Sequence, residues 1–517
     1  MFKPRHFFIE TLICWTVTAV VGFRIITDVI RWSGFFKWQL WLNAHLWEGL
    51  AIFIAFHFTV CVLAFLYHRI FPQLFFVFIY LNLQLLFYLL FLIKGLIFTS
   101  LPDQCWWFMI FAVLFILGGA LPKSKPEEPT FKNTIPLFGK VMIGIWLLCS
   151  LCLWIPQNWD TNRKVFRDEG SFWVSAGGQM IKNGINAAHT AVYPGGGLHP
   201  FGVPFMASAP MTCSAWKDPW AIYCWPLVII FSLALWLFAQ RLEKWALLFF
   251  MSALLVVFAN EFWPAQLMYQ LVYGESISVV LLLVFLSEIW HCVRKSNLTP
   301  VTILAISGAI GLLALTKAPL ALIVIPLELT FLFLLFRYQR SMVNVRIVAG
   351  WVGGGLLPFL IWFVFTNRYQ IPSLSTPWHL SDMLGRTLHP NTGLLLLALK
   401  SMWGLNQNMV YMTCLSIVIA GFYSLRSLMI PVFLWVMAWF FYYAYIYNYP
   451  TGYGDYLSGL RYLMPVTLVL YWAAACAYQD AINYSLKKNR AIAHLLQCLS
   501  IIFLFMILFF RKIYMFV

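Results

Sequence analysis

Between Thr11 and Phe510 the chain repeats one pattern, an apolar run followed by a short polar break that carries the charge. Runs of about 20 residues cross roughly 30 Å of hydrocarbon, and a helix satisfies its backbone N–H and C=O groups within one such segment. The pattern predicts an all-α polytopic membrane protein with spans near 11–31, 47–67, 73–95, 105–121, 139–156, 220–240, 245–260, 272–291, 300–316, 318–336, 346–366, 408–425, 427–447, 460–478 and 493–510.

The polar breaks sort by charge. Starting from Lys3 and Arg5, every second break or its edge is basic: His68 with Arg69; Lys123, Lys125 and Lys132; Arg241 with Lys244; Arg294 with Lys295; Arg337, Arg340 and Arg346; Arg426; and Lys487, Lys488 and Arg490. This is one consistent register of the rule that keeps basic loops cytoplasmic. The register puts loops 157–219, 367–407 and 448–459, and the tight turn at Lys317, together on the outer face. The first run retains Arg24, Asp28 and Arg31 and has no small-residue cleavage site, so it reads as a retained span, with Arg24 and Asp28 spaced to pair. Segment 122–138 is polar and Pro-rich and reads as a cytoplasmic linker. It divides a four-helix membrane extension, 1–121, from the main membrane domain, 139–480, and a C-terminal helix lies in 481–517.

Composition agrees with this class: 62% of residues are hydrophobic and 10% charged. Topology alone does not account for the net charge of +16, because Arg163, Lys164, Arg167, Lys182, Lys217, Lys317, Arg368, Arg386, Lys400 and Arg461 fall on the outer side. Such a surplus suits a phosphate on a membrane lipid, and anionic headgroups are the plainer partner. No nucleic-acid motif or solenoid repeat is present. The eleven cysteines lack zinc-finger spacing and lie mostly in apolar runs, and Cys213 and Cys224 share an outer loop in which they could bridge.

The polar chemistry gathers after the fifth run. Asp168 and Glu169 precede Phe172, Ala176 and Met180, whose four-residue spacing predicts an amphipathic helix on the membrane surface. Acids in a first turn also complement the helix dipole. In a functional reading one carboxylate accepts the proton of an attacking hydroxyl while its neighbour holds an acceptor, a metal or a basic partner. Lys or Arg would then stabilise a departing phosphate. Lys317 and Arg461 are placed for that role or for headgroup contact. Glu275 opens a span, where an acid is paired, functional or matched to the helix dipole. His199 precedes Pro200 with His189 nearby; a metal site with Asp168 would bring in a divalent cation, and solvated loop histidines are the alternative. Tyr453 and Tyr462, in YNYPTGYGDYLSGLRY, suit stacking on sugar rings or an interfacial aromatic belt.

Four segments together resemble the GT-C superfamily of integral-membrane glycosyltransferases, which includes protein O-mannosyltransferases and the lipid A aminoarabinose transferase. VFRDEGSFWVSAGGQMIKNG at 165–184 is similar to that family's acidic pair and following amphipathic helix. YPGGGLHPFGVPFMASAP at 193–210 is similar to its His-Pro-Pro-Gly-type stretch, with Phe201 for the second proline, and LLALTKAPLALIVIP at 312–326 to its Leu-Thr-Lys-Gly-Pro turn, with Ala318 for glycine. GLRYLMPVTLVLYWAAA at 459–475 resembles its Arg-Tyr-Leu-x-Pro span start. The four spans before the linker depart from the pattern, in which the acidic loop follows the first span.

The resemblance implies a GT-C-like bundle of about 13 to 15 transmembrane helices with amphipathic helices in the first large outer loop. It also implies transfer of a sugar from a polyprenyl-phosphate donor to a glycan, lipid or protein acceptor. In a bacterial cell this would take place on the periplasmic face of the inner membrane. Asp168 would be the base, Glu169 its supporting partner, and Lys317 the residue that meets the donor phosphate. Polymerisation or ligation of glycans carried on lipid pyrophosphate, and transport of lipid-linked sugars without chemistry, are the competing expectations.

Overall fold

The structure is a computed structural model that describes, apart from isolated positions, residues 44–122, 175–184, 202–214, 227–250, 274–295, 299–316, 345–369 and 456–498. The ten helices discussed below are α1 (Ala44–Ile70), α2 (Phe76–Ile97), α3 (Asp103–Ala120), α4 (Ser175–Asn183), α5 (Gly202–Thr212), α6 (Leu227–Arg241), α7 (Gly274–Lys295), α8 (Pro300–Ala314), α9 (Val345–Arg368) and α10 (Tyr456–Lys488). No strand occurs among the described residues. Among the described residues four helices are long and apolar enough to cross a membrane: Trp47–Ile70, Phe76–Ile97, Asp103–Ala120 and Ile347–Phe365.

Two kinds of surface distinguish these helices. The inward side of α3 buries Trp107, Ile110 and Leu114. Its outward side is just as apolar, with Phe108, Val113, Ile116 and Leu117 exposed. In water such a continuous patch would drive association; in hydrocarbon it is the solvated face. A helix that is apolar all round but buried on one side is what a lipid solvent permits.

α2 is central. It packs against α1, α5, α6, α8 and α9, and Tyr80, Leu81, Phe87, Tyr88 and Leu92 are fully buried along it. Where lipid supplies no hydrophobic drive, helices associate through close packing and interhelical hydrogen bonds. Both devices operate at α8. Asn82 Nδ2 on α2 donates to Phe78 O at 2.8 Å in its own helix and to Ala305 O at 2.9 Å on α8. The notch that receives it exists because residue 308 is glycine, since a Cβ there would stand 2.1 Å from Asn82 Oδ1. On its other side α8 meets α9, where a Cβ on Gly311 would lie 2.9 Å from Gly354 O, and Ser307 Oγ donates to Trp351 O.

The contacts sort helix ends into two sets. At one end the α2–α3 turn is closed by a buried ion pair, Lys94 Nζ to Asp103 Oδ1 at 2.7 Å. Lysine in the last turn of α2 and aspartate in the first turn of α3 also complement the two helix dipoles. Gly184, just after α4, abuts this pair: its φ is +81°, and a Cβ would fall 2.9 Å from Asp103 Oδ2. Beside it Gln104 Nε2 donates to Ser214 O at 2.9 Å, and Trp107 Nε1 donates to Thr212 Oγ1 at 2.9 Å. Tyr369, which follows α9, donates its hydroxyl to Gly95 O.

The opposite end is held by Arg241 at the close of α6. Its Nη2 makes bonds of 3.0 and 2.8 Å to the two Glu288 oxygens on α7, and its Nη1 donates to His291 Nε2 at 2.8 Å. Guanidinium has no acceptor, so this contact requires His291 to be unprotonated at Nε2. Arg241 also lies over the Phe75 ring, 5.8 Å from its centroid, just before α2 begins. Gln479 Oε1 on α10 accepts from Glu243 N at 2.9 Å, and Asn483 Nδ2 donates to Glu243 Oε1 at 2.9 Å. Loop 98–102 therefore shares an end with residues 184 and 212–214, as the alternation of basic breaks requires. α1 packs directly on α5, and α2 on α5, α8 and α9.

Candidate functional site

The surfaces of α4 and α5 build one wall. All eleven residues of α5, GVPFMASAPMT, are buried. Its Phe205 packs at 5.3 Å on Tyr88, 5.1 Å on Phe91 and 6.3 Å on Trp107. The spacing of Ala176 and Met180 gives α4 an apolar face as expected, but a protein surface covers it: α4 packs on α5, with Ser208 Oγ 3.5 Å from Met180 Sδ. Lys182 and Asn183 remain exposed. Phe172 lies outside the described residues.

At the start of α5 two of the motifs picked out from the sequence meet. Gly202 N donates to Leu315 O at 3.2 Å, joining the stretch that contains His199 to the turn that continues into Lys317. Only glycine permits this approach, because a Cβ at 202 would stand 2.4 Å from the Leu315 oxygen. A third element converges on the same turn: Ser278, one helical turn after Glu275 on α7, has its Oγ 2.9 Å from Thr316 Oγ1.

α10 brings the remaining motif to the same end. α7 and α10 pack together, and Trp472 of α10 is fully buried against Phe238 and Phe250, at 4.8 and 5.2 Å. Arg461 and Tyr462 lie in its first two turns, while Gln479 belongs to the layer containing Arg241 and Glu288. At 1.5 Å per residue, Arg461 is roughly 27 Å along the axis from Gln479, and Glu275 roughly 20 Å from Glu288. The helix starts bearing Glu275 and Arg461 thus occupy the end opposite the Arg241 layer.

Asp168, Glu169, His189, His199, Lys317 and Tyr453 lie outside the described residues. Among the described residues no group of three or more His, Cys, Asp or Glu could hold a metal ion. Cys213 is a free thiol rather than half of a disulfide, and its Sγ lies 3.2 Å from Ala209 O. Burial raises its pKa well above the ordinary thiol value, and the Asp103 carboxylate adds to the shift.

The reading from sequence passed over the Lys94–Asp103 and Arg241–Glu288 pairs. A lysine near the end of an apolar run, followed nine residues later by an aspartate across a Pro-containing turn, was the available signal for the first. Glu288 offered a similar one, as a lone acid near the basic end of its span. Compared with family models, curated proteins and solved structures, the chain matches none of them.

Proposed function

We propose that the protein is a membrane glycosyltransferase that moves one sugar from a polyprenyl-phosphate donor to a glycan, lipid or protein acceptor on the non-cytoplasmic face. The observation that carries the reading is the Gly202–Leu315 hydrogen bond, with Ser278 on the adjoining Thr316. It joins segments more than a hundred residues apart in sequence, each picked out by its likeness to one superfamily. In this reading the layer with Arg241, Glu288 and His291 faces the cytoplasm, and the end with Lys94 and Asp103 faces outward.

The chemistry is a single displacement. The acceptor hydroxyl oxygen attacks the anomeric carbon, the bond from that carbon to the phosphate oxygen breaks, and Asp168 takes the hydroxyl proton. The leaving lipid phosphate gains a negative charge, which Lys317 and Arg461 stabilise. Glu169 supports Asp168, Tyr453 and Tyr462 stack on sugar rings, and Glu275 and His199 hold donor or acceptor hydroxyls. Transport without chemistry would instead call for discontinuous helices and polar groups at the midplane.

The test is sugar transfer by the full chain in nanodiscs, supplied with radiolabelled lipid-linked sugars extracted from its source cell. Asp168→Asn should abolish transfer while elution and helix content stay unchanged. Full activity in that variant would remove the proposed base, and preference for diphosphate-linked donors would favour a polymerase or ligase.

A further inference from the structure

Two opposite faces of α2 carry polar groups deep within its apolar length. From one, Asn82 reaches α8. From the other, Tyr80 meets α1, where its hydroxyl lies 2.7 Å from His57 Nδ1. Gln84, one turn further along α2, brings its side-chain amide beside the same hydroxyl. His57 is 2% exposed, Tyr80 and Gln84 are fully buried, and the Phe53 and Phe56 rings pack on the imidazole at 4.4 and 5.1 Å. Inside this wrapping three polar atoms complete no hydrogen bond with the protein: His57 Nε2, Gln84 Nε2 and Gln84 Oε1. Between helices this apolar, an unsatisfied polar atom is costly, so these three point to a partner from outside the chain.

The surroundings define the chemistry of that partner. α1 packs against α2, α3 and α5. Between Glu48 and Arg69 α1 holds no carboxylate, lysine or arginine, and α5 holds none at all. The only such residues of α2 and α3 are Lys94 and Asp103, which bind each other. An ion, or a proton on His57, would stand there without a counter-charge, so the ligand is neutral. The Gln84 amide offers both a donor and an acceptor, and His57 Nε2 is one or the other according to which side of the 2.7 Å contact holds the proton. The ligand must therefore both donate and accept. It must also be small, because the side chains that would hold it are closed to solvent. Water meets all three conditions, and three polar partners are the usual number for a buried water. We propose that α1 and α2 hold an internal water on His57 Nε2 and the Gln84 amide, a bridge that fastens α1 to α2 inside the membrane.

X-ray hydroxyl-radical footprinting of the full chain in nanodiscs, with rapid mixing into heavy-oxygen water and mass spectrometry, tests it. Radicals born from a held water oxidise the side chains beside it. His57 and Tyr80 should be oxidised, whereas Phe91, equally buried but packed among aromatic rings, should not. Heavy oxygen should enter Tyr80 later than it enters the exposed Tyr484, because a held water exchanges slowly with bulk. Gln84→Leu should bring Tyr80 oxidation down to the level of Phe91 and leave Tyr484 unchanged. Tyr80 as inert as Phe91 in the wild type, heavy oxygen entering Tyr80 as fast as Tyr484, or undiminished Tyr80 oxidation in Gln84→Leu would each overturn the proposal. The first two outcomes need only the wild type, so they decide the matter even where the variant fails to fold.

Discussion

Removing one partner of the Lys94–Asp103 pair should be among the most damaging single changes in the described part of the chain. The side chains are 3% and 7% exposed, and the contact is 2.7 Å. Asp103→Asn leaves the lysine charge buried without its counter-ion, and Lys94→Met does the same to the aspartate. Stranding one charge of a buried pair costs roughly 3–5 kcal/mol, whereas replacing both partners with apolar residues of similar volume is close to neutral. With the entropy of unfolding usual for soluble chains, such a loss lowers Tm by about 3–5 °C at this chain length. Thermal unfolding in one detergent, followed by reaction of newly exposed cysteines with a fluorogenic maleimide, measures it. The expected order is wild type and Lys94→Met/Asp103→Leu together, with both single variants well below. A double variant as unstable as the two single losses summed would refute the argument, because the charges would then not be coupled.

Four further outcomes follow from the same geometry. Gly202→Ala should lower stability by roughly 2 kcal/mol or more, since the added carbon meets the Leu315 oxygen at 2.4 Å; unchanged unfolding would deny the close approach. Gly308→Ala should destabilise the chain and Asn82→Ala should partly rescue it, because truncating Asn82 clears the atom the new Cβ would strike; identical melting of the single and double variants would contradict this. Because the folded state raises the Cys213 pKa, its contribution to stability is present below the unfolded thiol value of about 8.5 and lost as pH rises above it. Cys213→Ala should therefore flatten the alkaline fall in Tm, and an unchanged fall would exclude that origin. In cells, single cysteines at the exposed positions Thr99 and Lys182 should react with an impermeant maleimide, and one at Asn489 should react only after lysis; labelling of all three in intact cells would break the assigned sidedness.

What the sequence made legible, and what it did not, follows from the range of the interactions involved. Length and apolarity are local, and the helices at 44–70, 76–97, 103–120 and 345–368 overlap the runs read from them, with ends a few residues displaced. Helix ends shifted where a charge at the helix end rather than hydropathy decides. α3 begins at Asp103, two residues before its expected start, because the acid is suited to a first turn and bonded to Lys94. The contacts that set the α2–α3 turn beside residues 184 and 212–214 agree with the alternation of basic breaks read along the chain.

Partners across long separations were not legible. Nothing near Asn82 announces Ala305, and nothing near Gly308 says that a side chain from α2 fills its notch. The amphipathic spacing of Ala176 and Met180 gave the correct face but the wrong neighbour, since periodicity reports apolarity and cannot tell lipid from a buried helix. For the candidate site, motif order suggested proximity, and the bond between Gly202 and Leu315 supplies a physical reason for a glycine in that stretch.

The central claim is that this chain adds a sugar outside the cytoplasm at the expense of a lipid phosphate linkage. Mass spectrometry of surface glycans and membrane lipids in source cells lacking the protein tests it most directly, with complementation by wild type and by Asp168→Asn. The account predicts one sugar missing from one glycan, lipid or protein, accumulation of its polyprenyl-phosphate donor, and restoration by wild type alone. Unchanged glycans and lipid-linked sugars in the deletion, or full restoration by Asp168→Asn, would contradict it.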